Sequence, residues 1–354
     1  MHIVLYAQDK EFSIKGTISG MKDGISVSLL NIEDTSAPVL AESAVINGSF
    51  ILKGKISRPT LCCLTTNNLK LIPDLDKDVD KIHWTYTDIF VTNTDYIFQA
   101  VHYDSISVSK PIGQYFRITG KGPQDDFNEY NLKALSIELL SDNIREDSLR
   151  KIQLNFISTH PKSSISIMLA NNLLKGGCRM TRRDVDKLNK MIIDTPNDPL
   201  RLAEFRKNCM AARITGLNEP VLNLSLYDIK GNPCNLTSII PKGKYVLVDF
   251  WASWCGICRA AIPDIKKLYQ EYPNKFTVIS VSADQNRNAW IKAINDEKMS
   301  WKQYLLTPHG FKELSEKYLT QGVPFYMIVN PQGNVVCAPQ NITDLQNFFE
   351  ENRN

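Results

Sequence analysis

Long apolar runs are missing from this sequence, and no stretch approaches the ~18 residues that a membrane-crossing helix requires. Charge of one sign is missing too. Lysine and arginine number 41, aspartate and glutamate 38, and both are spread along the chain, leaving a net charge of +3. That balance gives no reason to expect nucleic acid or an anionic membrane as a partner. Histidine is scarce, with five residues standing singly at 2, 83, 102, 160 and 309. No His-Glu-x-x-His, Gly-x-Ser-x-Gly or phosphate-cradling glycine loop occurs, so the signatures of zinc peptidases, serine hydrolases and nucleotide-binding loops are absent. There is no internal repeat or low-complexity tract. The acidic run at 74–85 carries aspartate at loop positions 1, 3, 5 and 7. It has Val79 and Thr85 where a calcium-binding EF-hand takes Gly and Glu, and reads as an acidic surface loop.

What is present is ordinary for a soluble globular chain: 354 residues, 43% hydrophobic and 22% charged, enough for two or three domains. The first ten residues, "MHIVLYAQDK", contain an apolar run from Ile3 to Tyr6. This is read either as the stub of a secretory signal cleaved near Ala7, lacking its basic region, or as an ordinary N-terminal strand. Asn-x-Ser/Thr sites at Asn47, Asn223, Asn235 and Asn341 are near chance for this length.

Residues 11 to about 118 alternate apolar and polar side chains. "EFSIKGTIS", "GISVSLLNI" and "GSFILKGKI" predict strands, as do "TLCCLTT", "DIFVTN" and "QYFRITG". Asn47-Gly48 stands between two such runs as a hairpin signal. A sandwich or barrel follows. From about 121 to 215 the period becomes helical. Gly176-Gly177 marks a helix end, Thr181 and Asp184 form a capping-box pattern, and Asp198 before Pro199 predicts a helix start. From Gly216 buried-strand runs ("KYVLVDFW", "KFTVISVSA", "PFYMIVNPQG") alternate with helices over 256–272, 287–298, 310–319 and 342–352, which indicates an α/β domain. The predicted organisation is multidomain: an all-β domain (sandwich or barrel-like) over 1–118, a helical connecting segment over 119–213 and an α/β domain over 214–354.

Eight cysteines lie at 62, 63, 178, 209, 234, 255, 258 and 337. Only Cys255 and Cys258 have a spacing with chemical meaning. Cys62 and Cys63 sit in a strand-like run where neighbours point to opposite faces, and they read as core or edge residues. A Cys-x-x-Cys that follows a strand and opens a helix combines three effects. Unpaired N–H groups of the first turn favour the Cys255 thiolate. Such thiols commonly have pKa values of about 3.5–7.5, and the thiolate is the nucleophile. The i, i+3 spacing allows the two sulfurs to bridge at a Cα separation of about 5.5 Å. Cys255 can then attack a substrate disulfide and Cys258 resolve the mixed disulfide. A structural zinc site lacks a second ligand pair, and a structural staple is the other alternative.

"VLVDFWASWCGIC" followed by "GVPFYMIV" closely resembles the thioredoxin superfamily. "GLNEPVLNLSLYDIKGNPCNLTSI" resembles the opening of its bacterial extracytoplasmic thiol–disulfide oxidoreductase branch, and "DQNRNAWIKAINDEKMSW" fits the helix that this branch inserts. The resemblance covers about 215–354. Residues 11–118 and the helices more weakly resemble the β-rich N-terminal domain and linker attached to such modules in Bacteroidetes-type bacteria.

The resemblance implies a thioredoxin-like fold for 214–354, with Cys255 attacking and Cys258 resolving. Asp249 matches the buried carboxylate behind the pair and would take the Cys258 proton, its alternative being a hydrogen-bonded strand residue. Trp254 would form an apolar surface beside the sulfur, or else a core aromatic. Pro324 matches a cis-proline facing the sulfur, and Val323 would pair with an extended substrate. Pro263 would kink the active-site helix. Two departures stand out. The usual Gly-Pro between the cysteines is Gly256-Ile257 here, which leaves the redox direction open, and Ala261 replaces a glutamate common in the branch.

The expected activity is dithiol–disulfide exchange, in the reducing direction, on disulfide-containing proteins, with no cofactor beyond the cysteine pair, no metal and an upstream thiol donor. A disulfide isomerase or oxidase, and a non-enzymatic envelope-binding protein, are the alternatives. The expected location is the periplasm or cell envelope, with the cytoplasm as alternative, and the β-domain is a candidate for homo-oligomerisation.

Overall fold

Period-two alternation becomes strand through most of the first hundred residues. The computed structural model describes residues 11–351, apart from 35, 37–38, 75–76, 107–114, 139, 195–197 and 273–275. The apolar start, read as a possible signal remnant, lies outside the described residues. The chain divides into two units, Met1–Leu169 with Ile192–Leu202, and Ala170–Met191 with Ala203–Asn354.

The first unit holds β1 (Phe12–Ile18), β2 (Ser26–Asn31), β3 (Ala41–Ala44), β4 (Ser49–Gly54), β5 (Thr60–Asn67), β6 (Trp84–Val91), β7 (Asp95–Ala100) and β8 (Phe116–Thr119). They form two four-stranded sheets, ordered β4-β1-β7-β8 and β3-β2-β5-β6. Inward residues of both sheets, among them Ile14, Val27, Leu52, Cys62, Ile89 and Phe98, share one core, so the domain is a sandwich. Cys62 is buried in that core and Cys63 points to the other face. The sequence reading marks no strand over 95–100. There Tyr96, Ile97 and Phe98 run consecutively, and exposed Ile97 hides the alternation of its buried neighbours.

The Asn47-Gly48 turn forms with φ of +51° and +67°, and Ile46 and Ser49 exchange both backbone hydrogen bonds. The runs on either side nevertheless belong to different sheets, β3 to one and β4 to the other. The two-residue turn carries the chain across the sandwich, and no strand ladder extends beyond that one pair.

Five helices follow: α1 (Pro123–Leu135), α2 (Asp142–Thr159), α3 (Ser164–Leu174), α4 (Arg182–Met191) and α5 (Pro199–Thr215). Three local signals act as read. Gly176 and Gly177 take φ of +89° and +74° just past α3. The Asp184 N–H donates to Thr181 Oγ1 (3.2 Å), whose hydroxyl donates to Asp184 Oδ2 (2.7 Å). The Arg201 N–H donates to Asp198 Oδ1 (3.3 Å) at the start of α5.

The helical segment is shared out between the two units. Within the first unit, Phe127 of α1 packs on Phe90 of β6, and Gln124 accepts the Phe90 N–H at 2.7 Å. The Arg201 side chain donates to Asp198 (2.7 Å), Glu33 (2.5 and 3.0 Å) and the Pro59 carbonyl (2.8 Å), with its guanidinium over Phe90. Within the second, Cys178 lies in the core, the Gly176 N–H donates to the Leu319 carbonyl, and Thr181 bridges Leu217.

The second unit continues with β9 (Ser225–Asp228), β10 (Pro233–Asn235), α6 (Leu236–Ile239), β11 (Tyr245–Trp251), α7 (Gly256–Glu271), β12 (Phe276–Ser282), α8 (Arg287–Asp296), β13 (Lys302–Leu306), α9 (Pro308–Lys317), β14 (Phe325–Val329), β15 (Val335–Cys337) and α10 (Ile342–Glu351). One seven-stranded sheet runs β10-β9-β13-β12-β11-β14-β15. Strands β11, β12 and β13 are parallel, and β14 is antiparallel to β11. Central β11 is apolar on both faces except at Asp249, as a strand covered on both sides should be. Val246, Val248 and Phe250 join one core with Tyr318, Phe325 and Met327. Leu247 and Trp251 join the other with Cys255, Cys258, Ile262, Trp301 and Tyr326. Alternation along the strand therefore places Asp249 on the face that carries the cysteines.

Candidate active site around Cys255 and Cys258

Strand β11 ends at Trp251, and the chain turns through Ala252–Trp254 into α7. Cys255 is the N-cap of that helix, and its sulfur accepts the Cys258 N–H at 3.2 Å, as a serine oxygen would in an ordinary cap. No acidic residue occupies the first turn to oppose a thiolate. The two cysteines are joined as a disulfide with a Cα separation of 5.3 Å, within the range that needs no backbone movement. Both are largely buried, Cys255 at 8% exposure and Cys258 at 3%. The helix continues on both sides of Pro263.

The turn before Cys255 is held by Asp284, a buried carboxylate just past β12. It accepts the Ser253 N–H (2.8 Å), the Ser253 hydroxyl (2.6 Å) and the Ser282 hydroxyl (2.6 Å). Opposite the turn, the Val323–Pro324 peptide is cis, and the Val323 carbonyl oxygen lies 3.8 Å from the Cys255 sulfur. The two apolar side chains beside the pair face solvent: Trp254 is 69% exposed and Ile257 76%. Trp254 is thus no core aromatic.

Asp249 is 2% exposed. The Ser280 hydroxyl donates to its Oδ2 at 2.7 Å, and the Trp301 indole N–H donates to the Ser280 oxygen at 2.8 Å. Burial pushes the Asp249 carboxyl up to about 7 against the lowering effect of the Ser280 hydrogen bond. The structure thus brings five of the six sequence-predicted residues to the start of α7 and the strand end opposite, and sets Asp249 beneath them on β11. Ser253, Ser280, Asp284 and Trp301 are absent from the sequence reading. None of the four carries a signal of its own in the sequence, and Ser280 meets Asp249 because the two are register partners on β12 and β11. Among the described residues, no group of three or more His, Cys, Asp or Glu side chains is placed to hold a metal ion.

A mixed sheet with a dithiol pair at the start of the helix after its central strand defines a thioredoxin-like domain. A thioredoxin-like family model matches residues 243–335, and a domain of unknown function, DUF4369, matches residues 12–127. The thioredoxin domain of a thiol-disulfide oxidoreductase from Bacteroides vulgatus is 35% identical, covering 39% of this chain and 98% of that one, with a TM-score of 0.36. A thiol:disulfide interchange protein from a Bacteroides species is also 35% identical, covering 38% of this chain and 88% of that one, with a TM-score of 0.35. The chloroplastic thioredoxin-like protein HCF164 of Oryza sativa subsp. japonica is 23% identical over 111 residues, 31% of this chain. The match spans about a third, 34%, of that relative's length. The family model carries the assignment: residues 243–335 form a thioredoxin-like domain.

Proposed function

We propose that the protein is a thiol–disulfide oxidoreductase that reduces disulfides in other proteins outside the cytoplasm. One observation carries the reading: Cys255 caps α7, bonded to Cys258 and flanked by exposed Trp254 and Ile257.

In the reduced enzyme, the Cys255 thiolate is stabilised by the Cys258 N–H and by the positive end of the helix. It attacks one sulfur of the substrate disulfide, forming a mixed disulfide and releasing a substrate thiolate. Asp249 takes the Cys258 proton. The Cys258 thiolate then attacks Cys255, closing the bond seen here and releasing the second substrate thiolate. Two electrons pass from the dithiol to the substrate, and an upstream thiol donor restores the pair. The Val323 carbonyl accepts a backbone N–H from an extended substrate segment, while Trp254 and Ile257 contact its apolar side chains.

Insulin reduction tests the activity: a Cys255→Ser protein that works at the wild-type rate overturns it. The reduction potential tests the direction, a value near about −270 mV supporting a reductant and one near about −120 mV an oxidant. The extracytoplasmic assignment is supported by the resemblance of 216–239 and 284–301 to that branch. Protease accessibility in intact cells tests it.

A further inference from the structure

We infer that Ser280 and Trp301 are positioning residues that keep Asp249 available as a base, by committing the Ser280 hydroxyl hydrogen to the Asp249 carboxylate. The inference rests on the proposed role of Asp249. Its basis is the directionality of two hydrogen bonds.

An indole N–H can only donate. Because Trp301 donates to the Ser280 oxygen at 2.8 Å, that oxygen is the acceptor in the pair, and its own hydrogen is left to point elsewhere. The atom it meets is Asp249 Oδ2, at 2.7 Å. All three residues are buried, Ser280 with no exposure, so no solvent molecule competes for either bond. A hydroxyl hydrogen held in this way stabilises the carboxylate over the carboxylic acid, because the acid has less negative charge to receive it.

Among the described residues, no second side chain donates a hydrogen bond to Asp249. Facing Asp249 from β14 is Tyr326, its register partner, which shares a core with the Cys255–Cys258 disulfide at the start of α7. Tyr269 of α7 packs on Trp301, ring centroids 5.7 Å apart. Arg259 of α7 pairs with Glu297 at 2.6 Å. Asp284, past the end of β12, is engaged by Ser253 and Ser282. Asp249 is therefore buried with Ser280 as the donor set against the penalty of burial, which agrees with the direction and causes of its shifted ionisation.

The step served balances simply. The Cys258 S–H bond breaks, its proton moves to Asp249, and the sulfur keeps the electron pair with which it attacks Cys255. Two consequences follow from the relay. Ser280→Ala removes the hydrogen bond, so Asp249 holds its proton to higher pH. Trp301→Phe leaves the hydroxyl in place but frees it to rotate, which gives a smaller shift in the same direction.

The test follows the Asp249 carboxyl carbon by NMR across pH in the reduced full-length protein, alongside the pH profile of insulin reduction. Ser280→Ala should raise the midpoint by about one pH unit, the order expected for a hydrogen bond to a charged group. Turnover at pH 7 should fall roughly fivefold and recover by about pH 9. Ser280→Thr, which keeps the hydroxyl, should restore both. An unchanged or lowered midpoint in Ser280→Ala overturns the inference, as does a Ser280→Thr protein that behaves like Ser280→Ala. If Trp301→Phe does not fold, the two Ser280 variants decide alone. The outcome is separable from the proposed activity: an active Cys255→Ser protein sinks the oxidoreductase reading, whereas an unmoved Asp249 midpoint beside an inactive Cys255→Ser protein sinks the relay only.

Discussion

The Cys255 sulfur and the Val323 carbonyl oxygen stand 3.8 Å apart, joining the start of α7 to the start of β14 across 68 residues of sequence. Under the proposed mechanism, a substrate strand bonding to Val323 would be delivered with its sulfur beside Cys255. Positioning of this kind converts an encounter into a near-attack geometry.

The order of attack makes a first prediction. Cys258→Ser can attack but cannot resolve, so covalent complexes with protein substrates should accumulate in non-reducing gels. Cys255→Ser should form none. Complexes formed equally by both variants would mean that the roles of the two cysteines are misassigned.

The exposed pair beside the sulfur makes a second. Trp254→Ala and Ile257→Ser each remove apolar surface available to a protein substrate, so KM for insulin should rise about fivefold, corresponding to about 1 kcal/mol. The rate with a small aromatic disulfide, which is too short to reach both side chains, should stay within about twofold. Equal losses on both substrates would show that the substitutions damage the thiol itself.

Asp249 makes a third, in stability. Its carboxyl is raised by burial from 3.8 to about 7 in the folded chain. The folded state therefore holds a proton that the unfolded state has lost between about pH 4 and 7, and stability falls as pH rises through that window. Asp249→Asn removes the penalty, so its gain in unfolding free energy, with Tm rising in step, should be near zero at pH 4 and largest at pH 8, up to about 4 kcal/mol. Resolution by Cys258 should slow in the same protein. A pH-independent change in Tm would refute this assignment.

A fourth concerns the first unit. Arg201 binds Glu33, Asp198 and the Pro59 carbonyl with its side chain 6% exposed. Removing one member of such a buried network leaves uncompensated charge, at a cost of about 3–5 kcal/mol. Arg201→Ala should lower the unfolding free energy from denaturant titration by that amount, and Arg201→Lys should not restore it, because an ammonium lacks the fork that reaches three partners. Insulin reduction by the folded fraction should be unchanged.

Much of this site was legible in the sequence because its chemistry is local. Strand, turn and helix cap are contiguous in "VLVDFWASWCGIC", so the position of Cys255 at a helix start follows from periodicity alone. Val323 and Pro324 were legible only through resemblance, since nothing local announces a cis bond. Ser280, Asp284 and Trp301 act across strands and between loops, and their partners are set by register. In the sandwich, the Asn47-Gly48 turn was legible but its consequence was not. A turn signal specifies a reversal of chain direction and says nothing about which sheet receives the next strand. Helical period and local cap signals mark where a helix lies, whereas membership of a unit depends on which core its apolar face enters.

That membership has a practical result for dissecting the chain. The polypeptide passes between its two units three times, after Leu169, Met191 and Leu202. No single scission releases either unit with all its parts. A fragment starting at residue 216 would leave behind Cys178 and the Gly176 and Thr181 backbone partners of Leu319 and Leu217. The two units are thus interleaved along the sequence, although each keeps its own core.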